Sequence, residues 1–352
     1  MAAKKRQVVG GVDTHGKFHH AAVIDDTGRQ LADQQFPATQ AGYQLLLLWL
    51  RRAGRLVKVG VEGTGSYGAG LARYLSDAGV QVVEVDRPDR KARRRQGKSD
   101  PLDAYAAARA VLSGRATGVP KTRTGPVESI RLLRAGRRAA VKARTAAINQ
   151  LRASLTCGPQ QLREQMQGLT QADLVQRCAA LAFDENRLAD PLEAARAALA
   201  DLAEQIRSLN VRIARADRRL GKLVTAIAPA LSAVHGVGTD VAGQLLTTAG
   251  DNPERLRSEA ALAHLCGVAP IPASSGRIDR HRLNRGGDRA ANSALFIIAL
   301  VRMRSHAATR AYVEKRTRDG LNKKEIIRCL KRYIVREIYT ALMTDLTSPN
   351  TA

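Results

Sequence analysis

The sequence predicts an α/β domain at its amino end, followed by a central helical region and a mainly α carboxyl-terminal region. Residues 8 to about 115 alternate short β-type apolar runs with helical patterns, and residues 127–226 are dominated by Ala, Leu, Arg, Glu and Gln. A Gly/Pro/Thr-rich break at 117–126 separates the two. The expected domains are therefore 1–116, 127–226 and 227–345.

Val8-Val9-Gly10-Gly11-Val12 reads as a buried strand ending at Asp13, and Val57-Lys58-Val59-Gly60-Val61 as another ending at Glu62. Strands are expected at 7–13, 19–25 and 30–36, joined by short turns of which Asp25-Asp26-Thr27-Gly28 is the clearest. A helix from about Thr39, a strand at 57–62, a helix at 66–78, a strand at 80–85 and a helix from Asp100 follow. Pro101 at a first helical position and the Ala-rich run behind it announce that last helix. Three meandering strands followed by helix, strand, helix, strand and helix is the ribonuclease-H-like order.

In such a sheet Asp13, Glu62, Asp100 and Asp103 would meet in one place. Asp100 and Asp103 are three apart on a helix and share a face. Any one of the four alone reads as a cap, a turn residue or a surface charge; their order along these elements points to a shared metal site. Mg²⁺ takes oxygen ligands and is held by only one or two carboxylates per ion, and two-metal phosphoryl sites place their ions about 3.5–4 Å apart. Without a cation the acids would repel one another and some would take up protons. His15, His19 and His20 read as edge or surface residues of a strand and are not assigned to the site.

The 352 residues carry 57 Lys plus Arg against 32 Asp plus Glu, a formal net charge of +25. That surplus points to a polyanionic partner, because neutralising phosphates with Lys and Arg drives nucleic-acid affinity. Aromatics at 3% leave few platforms for stacked bases, so phosphate and shape contacts are favoured. Arg87, Arg90, Lys91, Arg93, Arg94, Arg95 and Lys98, just before the acidic helix, are expected to grip phosphates. Cys157, Cys178, Cys266 and Cys329 form no C-x-x-C pair, which argues against a zinc module or a disulfide framework and fits a cytoplasmic protein. The longest apolar stretch, 45–50, is too short to span a bilayer, and the basic start leads into a strand rather than a signal sequence.

Apolar residues recurring at Leu188, Leu192, Leu199, Leu202, Ile206, Leu209 and Ile213 give the central region a partly heptad-like stripe, expected to form a helical hairpin or coiled coil interrupted near 156–159. It reads as core packing. Val234-His235-Gly236-Val237-Gly238-Thr239-Asp240 resembles a helix-hairpin-helix turn, whose backbone N–H groups, around Gly236 and Gly238, meet phosphate oxygens. A loop at 269–277, a basic segment at 280–289, a buried-looking helix at 290–303 and an amphipathic helix at 323–343, with Ile327, Leu330, Ile334 and Ile338 on one face, complete the chain.

Gly11-Val12-Asp13-Thr14-His15, Val61-Glu62-Gly63-Thr64-Gly65-Ser66-Tyr67, Lys98-Ser99-Asp100-Pro101-Leu102-Asp103-Ala104 and Ser274-Ser275-Gly276, in this order, resemble the DEDD-type transposases of the insertion-sequence-110 class, relatives of the Piv/MooV invertases. The resemblance covers essentially the whole chain and implies a RuvC-like amino-terminal domain, a central coiled coil and a carboxyl-terminal transposase domain. It implies that Asp13, Glu62, Asp100 and Asp103 bind Mg²⁺, and that a serine before a glycine, here Ser275 rather than Ser274, attacks DNA to form a phosphoserine intermediate. A serine is a weak nucleophile until a base or a metal activates it, so serine and carboxylates would have to act together. Arg277, Arg280, Arg282 and Arg285 would then hold the scissile phosphate. Donor and target double-stranded DNA, a non-coding bridge RNA as guide, and a homo-oligomer, dimer or tetramer, are the implied partners, in a bacterial cytoplasm with nucleoid association. Two other functions fit the residues: a Holliday-junction-resolvase type nuclease using water as nucleophile, and a nucleic-acid-binding protein without catalysis.

Overall fold

The computed structural model describes residues 6–85, 99–274 and 281–348, which divide into two units, Met1–Gly125 with Ala249–Arg257, and Pro126–Thr248 with Ser258–Ala352. The first unit begins with an antiparallel meander, β1 (Gln7–Thr14), β2 (Phe18–Asp25) and β3 (Gln30–Pro37). Next come α1 (Gln40–Ala53), β4 (Arg55–Glu62), α2 (Ala69–Asp77), β5 (Gln81–Val85) and α3 (Asp100–Leu112). The sheet order is β3-β2-β1-β4-β5, with β4 parallel to β1 and β5 parallel to β4. This mixed five-stranded sheet with helices on both faces fits a ribonuclease-H-like domain.

Local chemistry sets the boundaries. Thr39 is the N-cap of α1, its hydroxyl accepting from the Gly42 amide. The second helix starts three residues later than expected because the chain first makes a tight turn: the Ser66 and Gly68 amides both donate to the Gly63 carbonyl, at 2.8 and 3.0 Å, and Gly63 itself has φ +65°.

Strand alternation sends Val8, Val12, Ala21, Val23, Val59 and Val61 to one face, where they pack on Leu46 and Leu50 of α1 and Leu71 and Leu75 of α2. Val9, Ala22, Ile24, Val83 and Val85 go to the other, against Ala104, Ala107, Ala108 and Val111 of α3. Each fully buried Leu, Ile or Val here contributes about 1.5–3 kcal/mol.

Two glycines decide how closely α3 lies on that second face. Gly11 and Gly60 are register partners on β1 and β4. A Cβ on Gly11 would stand 2.1 Å from the Ala104 carbonyl oxygen and 2.3 Å from the Ala108 nitrogen, and one on Gly60 would stand 2.7 Å from Val111 Cγ2. The Ala face of α3 therefore settles into a trough that only glycine leaves open.

The segment 249–257 belongs to this unit although it lies far along the chain. Arg255 donates to the carbonyls of Val119 and Ala249, at 2.7 and 2.8 Å, and pairs with Glu84 at 3.5 Å; Asn252 meets Pro120 and Thr122. The expected break at 117–126 is thus pinned by backbone-directed bonds to a returning loop, which composition could not show.

The second unit is helical. Its elements are α4 (Pro126–Cys157), α5 (Gln160–Gln165), α6 (Gln171–Ala179), α7 (Pro191–Ile227), α8 (Pro229–Ala233), α9 (Thr239–Ala249), α10 (Glu259–Leu265), α11 (Arg289–Ser305), α12 (Ala307–Arg318) and α13 (Lys323–Thr347). A short ladder of β6 (Ile271–Pro272) and β7 (His281–Arg282) stands where a loop was expected. The long helices α4 and α7 run antiparallel within the chain: Ala140 packs with Leu209 and Ile213, and Leu151 and Leu155 with Leu199 and Ile206. Polar pairs continue the seam, Arg144 donating to Asn210 at 3.1 Å and Arg137 pairing with Asp217.

Two expectations need correcting. Leu188 is exposed, because α7 starts only at Pro191, behind its N-cap Asp190, so the stripe begins later. The helix at 290–303 is buried on one face only: Ala291, Leu295 and Ile298 are covered, whereas Phe296, Ile297, Leu300 and Val301 are 37–43% exposed. Ile327, Leu330, Ile334 and Ile338 of α13 are buried together.

Candidate functional site

Asp13 and Thr14 end β1, and Glu62 ends β4 beside them, since Val12 and Val61 are register partners. Asp13, like Gly11, points to the face covered by α3, and Glu62 alternates with Gly60 onto that same face. The first turn of α3 carries Asp100 and Asp103. The glycine trough thus sets that turn down over the carboxyl end of β1. Thr14 ties the two strand ends together, its hydroxyl donating to the Glu62 carbonyl at 2.9 Å.

Among the described residues, one group of three has ligand atoms all within 4.8 Å of one another: Asp13, His15 and Asp100. His15 Nε2 stands 3.2 Å from Asp13 Oδ2 and 3.4 Å from Asp100 Oδ1. Asp103, in the same first turn and on the same face as Asp100, is buried and close enough for its charge to act on Asp13. Glu62 and Asp103 lie outside the group of three.

Burial pushes the Asp13 carboxyl above its ordinary value; His15 pulls it back, and the charges of Asp103 and Asp100 push it up again. Two carboxylates facing each other across an imidazole, one of them disfavoured as an anion, are what a hard divalent cation would relieve. The oxygen donors of Asp13 and Asp100 fit Mg²⁺. His15, an imidazole that suits softer metals better, fits the role of orienting both carboxylates.

His15 is the residue that sequence reasoning left out. Asp13 and His15 are two apart at a strand end, a spacing that puts both on one face, and that was the available signal. Tyr67 stands in the turn after Glu62. Its ring lies against Gly16, where an added Cβ would stand 3.3 Å from Cε1, and 64% of it is exposed.

Of the expected nucleic-acid contacts, Arg87, Arg90, Lys91, Arg93, Arg94, Arg95 and Lys98 lie outside the described residues, as do Ser275, Arg277 and Arg280. Arg282 is on β7, and Arg285 is exposed between β7 and α11. Gly236, with φ +89°, and Gly238 stand in the turn between α8 and α9. No helix among the described residues is long and apolar enough to cross a membrane.

Comparison with known proteins bears on the whole arrangement. A DEDD transposase profile of the IS110 kind, described as "Transposase", matches residues 10–157, and the profile of the "Transposase IS116/IS110/IS902 family" matches residues 228–314. A 43.6 kDa protein of insertion element IS110 from Streptomyces coelicolor is 31% identical over 117 residues, 33% of this chain and 29% of that protein. A 42 kDa protein of insertion element IS900 from Mycobacterium paratuberculosis is 24% identical over 147 residues, 41% of this chain and 37% of that protein. The aligned part is about a third of the length of these curated relatives. A mixed sheet with acids at the ends of its central strands defines the class, and the two profile matches, together covering more than half of the chain, define the family. The chain belongs to the IS110-class transposases of insertion sequences.

Proposed function

We propose that this protein cuts and rejoins double-stranded DNA, moving an insertion sequence between a donor and a target, with Mg²⁺ held by Asp13 and Asp100 and completed by Glu62 and Asp103. The observation that carries the reading is the meeting of Asp13 and Asp100 under a helix held down by Gly11 and Gly60. Bound Mg²⁺ would offset negative charge developing on the scissile phosphate. Asp13 and Asp100 bind it, and His15 holds their oxygens in place.

The nucleophile we assign is Ser275, with the neighbouring Ser274 as the nearest alternative. Its Oγ–phosphorus bond forms as the bond from phosphorus to one deoxyribose oxygen breaks. The serine proton leaves to a base, and the departing oxygen leaves as a hydroxyl. The phosphoserine keeps the phosphodiester energy, so attack by another strand's hydroxyl can rejoin DNA by the reverse chemistry. Arg277, Arg280, Arg282 and Arg285 follow the serine closely enough in sequence to hold the phosphate. A bridge RNA as guide and a dimer or tetramer as the working form belong to the same reading, supported by the family and by the +25 charge.

The test is strand cleavage of labelled donor and target DNA by the full chain with the element's RNA and Mg²⁺. Asp13→Ala and Asp100→Ala should each abolish cleavage and leave RNA and DNA binding intact. Cleavage that persists in both variants would remove the carboxylates from the chemistry.

A further inference from the structure

The second unit contains a cavity of about 550 Å³ between the segments flanking the β6–β7 ladder, 267–270 and 282–284, and one face of α13. Arg282 enters it from β7, and Arg328, Lys331, Arg332, Tyr333 and Arg336 enter from the helix. Lys331 is 8% exposed, and its ammonium donates to the Asn292 carbonyl at 2.8 Å, while the Asn292 amide is itself spent on the Cys266 and Gly267 carbonyls, at 2.9 and 3.0 Å. Its partner is therefore a neutral amide.

Among the described residues, no carboxylate pairs with Lys331 or Arg328. Glu325, on the wall, is committed to the capping box of α13, accepting from the Asn322 amide at 2.9 Å. Glu259 pairs with Arg332 and lies 3.7 Å from Arg336. Burial and the charge of Arg328 both push the Lys331 ammonium down, the sign of a cation without a counter-ion. Five cations around a recess, one of them buried against a neutral group, are short of negative charge.

Aromatic surface stands beside the charge. Tyr333 is 50% exposed, with Tyr312 edge-on at 5.6 Å and the Arg336 guanidinium 5.5 Å from its ring centroid. A phosphate site next to an exposed ring is the combination that single-stranded nucleic acid uses. The cavity has the size of a pocket for one small ligand, too small for a base pair with both backbones.

Resting on the DNA-cutting reading above, we propose that this cavity holds one unpaired nucleotide of a DNA strand. Its phosphate lies against Arg328, Lys331 and Arg332, and its base lies against Tyr333.

The test uses the full chain with single-stranded DNA carrying one 2-aminopurine, whose fluorescence is quenched when it stacks on an aromatic ring. Readings are taken in EDTA, so that no cutting contributes. Quenching is expected on binding, lost in Tyr333→Ala with roughly tenfold weaker affinity and kept in Tyr333→Phe. Arg328→Ala, an exposed change that leaves the core alone, should weaken binding and reduce the salt slope by about 0.7. Unchanged quenching in Tyr333→Ala, or equal quenching by fully paired DNA, would overturn the proposal. Stronger binding and quenching by RNA of the same sequence would assign the cavity to the guide instead and overturn it for DNA. The cleavage reading fails separately, by its own assay with Mg²⁺.

Discussion

Burial, together with the charges of Asp103 and Asp100, raises the Asp13 carboxyl above its ordinary value against the opposing pull of His15. Asp13→Asn should therefore stabilise the metal-free protein, by roughly 1 kcal/mol in denaturant unfolding, while abolishing cleavage. A loss of stability would mean that the bond to His15 outweighs the repulsion. His15→Ala should raise the Mg²⁺ concentration needed for half-maximal cleavage by about 10–100-fold, the usual effect of losing a group that orients a ligand; an unchanged requirement would leave His15 without a role. His19 offers an independent pH test. It is fully buried, stacked on Tyr43, and burial lowers its pKa below the ordinary 6.5. The unfolded chain takes up the proton near pH 6.5 while the folded protein does not, so stability is complete above that value and falls as pH drops toward the lower folded one. His19→Leu should flatten that slope, and an unaltered slope would trace the pH dependence to other groups.

At the scale of elements, the site depends on how closely α3 lies on β1. Gly11→Ala would drive a Cβ into the α3 backbone, with nothing flexible to yield, and should cost about 3 kcal/mol or more and lose metal response together with fold stability. Gly10→Ala meets only side chains, Leu50 at 3.1 Å and Val59 at 3.3 Å, and should cost far less. Similar costs for the two, read from denaturation midpoints, would refute the trough. The strands, the acidic helix and the acids at the strand ends were all legible, because period-2 alternation, Pro101 and the Ala-rich run are local signals. Three things were not. His15 joins Asp13 and Asp100 only once α3 is docked. The Arg255 and Asn252 anchors act on residues more than a hundred positions away. The exposed side of α11 was hidden because a continuous apolar run gives the same pattern whether one face or both are covered.

For the whole molecule, the +25 charge makes binding electrostatic first and chemical second. Neutralising Arg93, Arg94 and Arg95 together should flatten the dependence of log K on log[salt] for duplex DNA by about two to three, at about 0.9 for each phosphate left without its arginine. An unchanged slope would show that this run does not touch the backbone. The central claim is that the acids at the sheet end and Ser275 take part in one reaction. Its most direct measurement is the denaturant-resistant protein–DNA adduct, formed with RNA and Mg²⁺ and mapped by peptide mass. The account predicts DNA attached at Ser275, with no adduct in Ser275→Ala, in Asp13→Asn or in EDTA. Attachment at Ser274 would move the nucleophile by one residue, and efficient cutting with both serines replaced by alanine would contradict the account in favour of a nuclease that uses water.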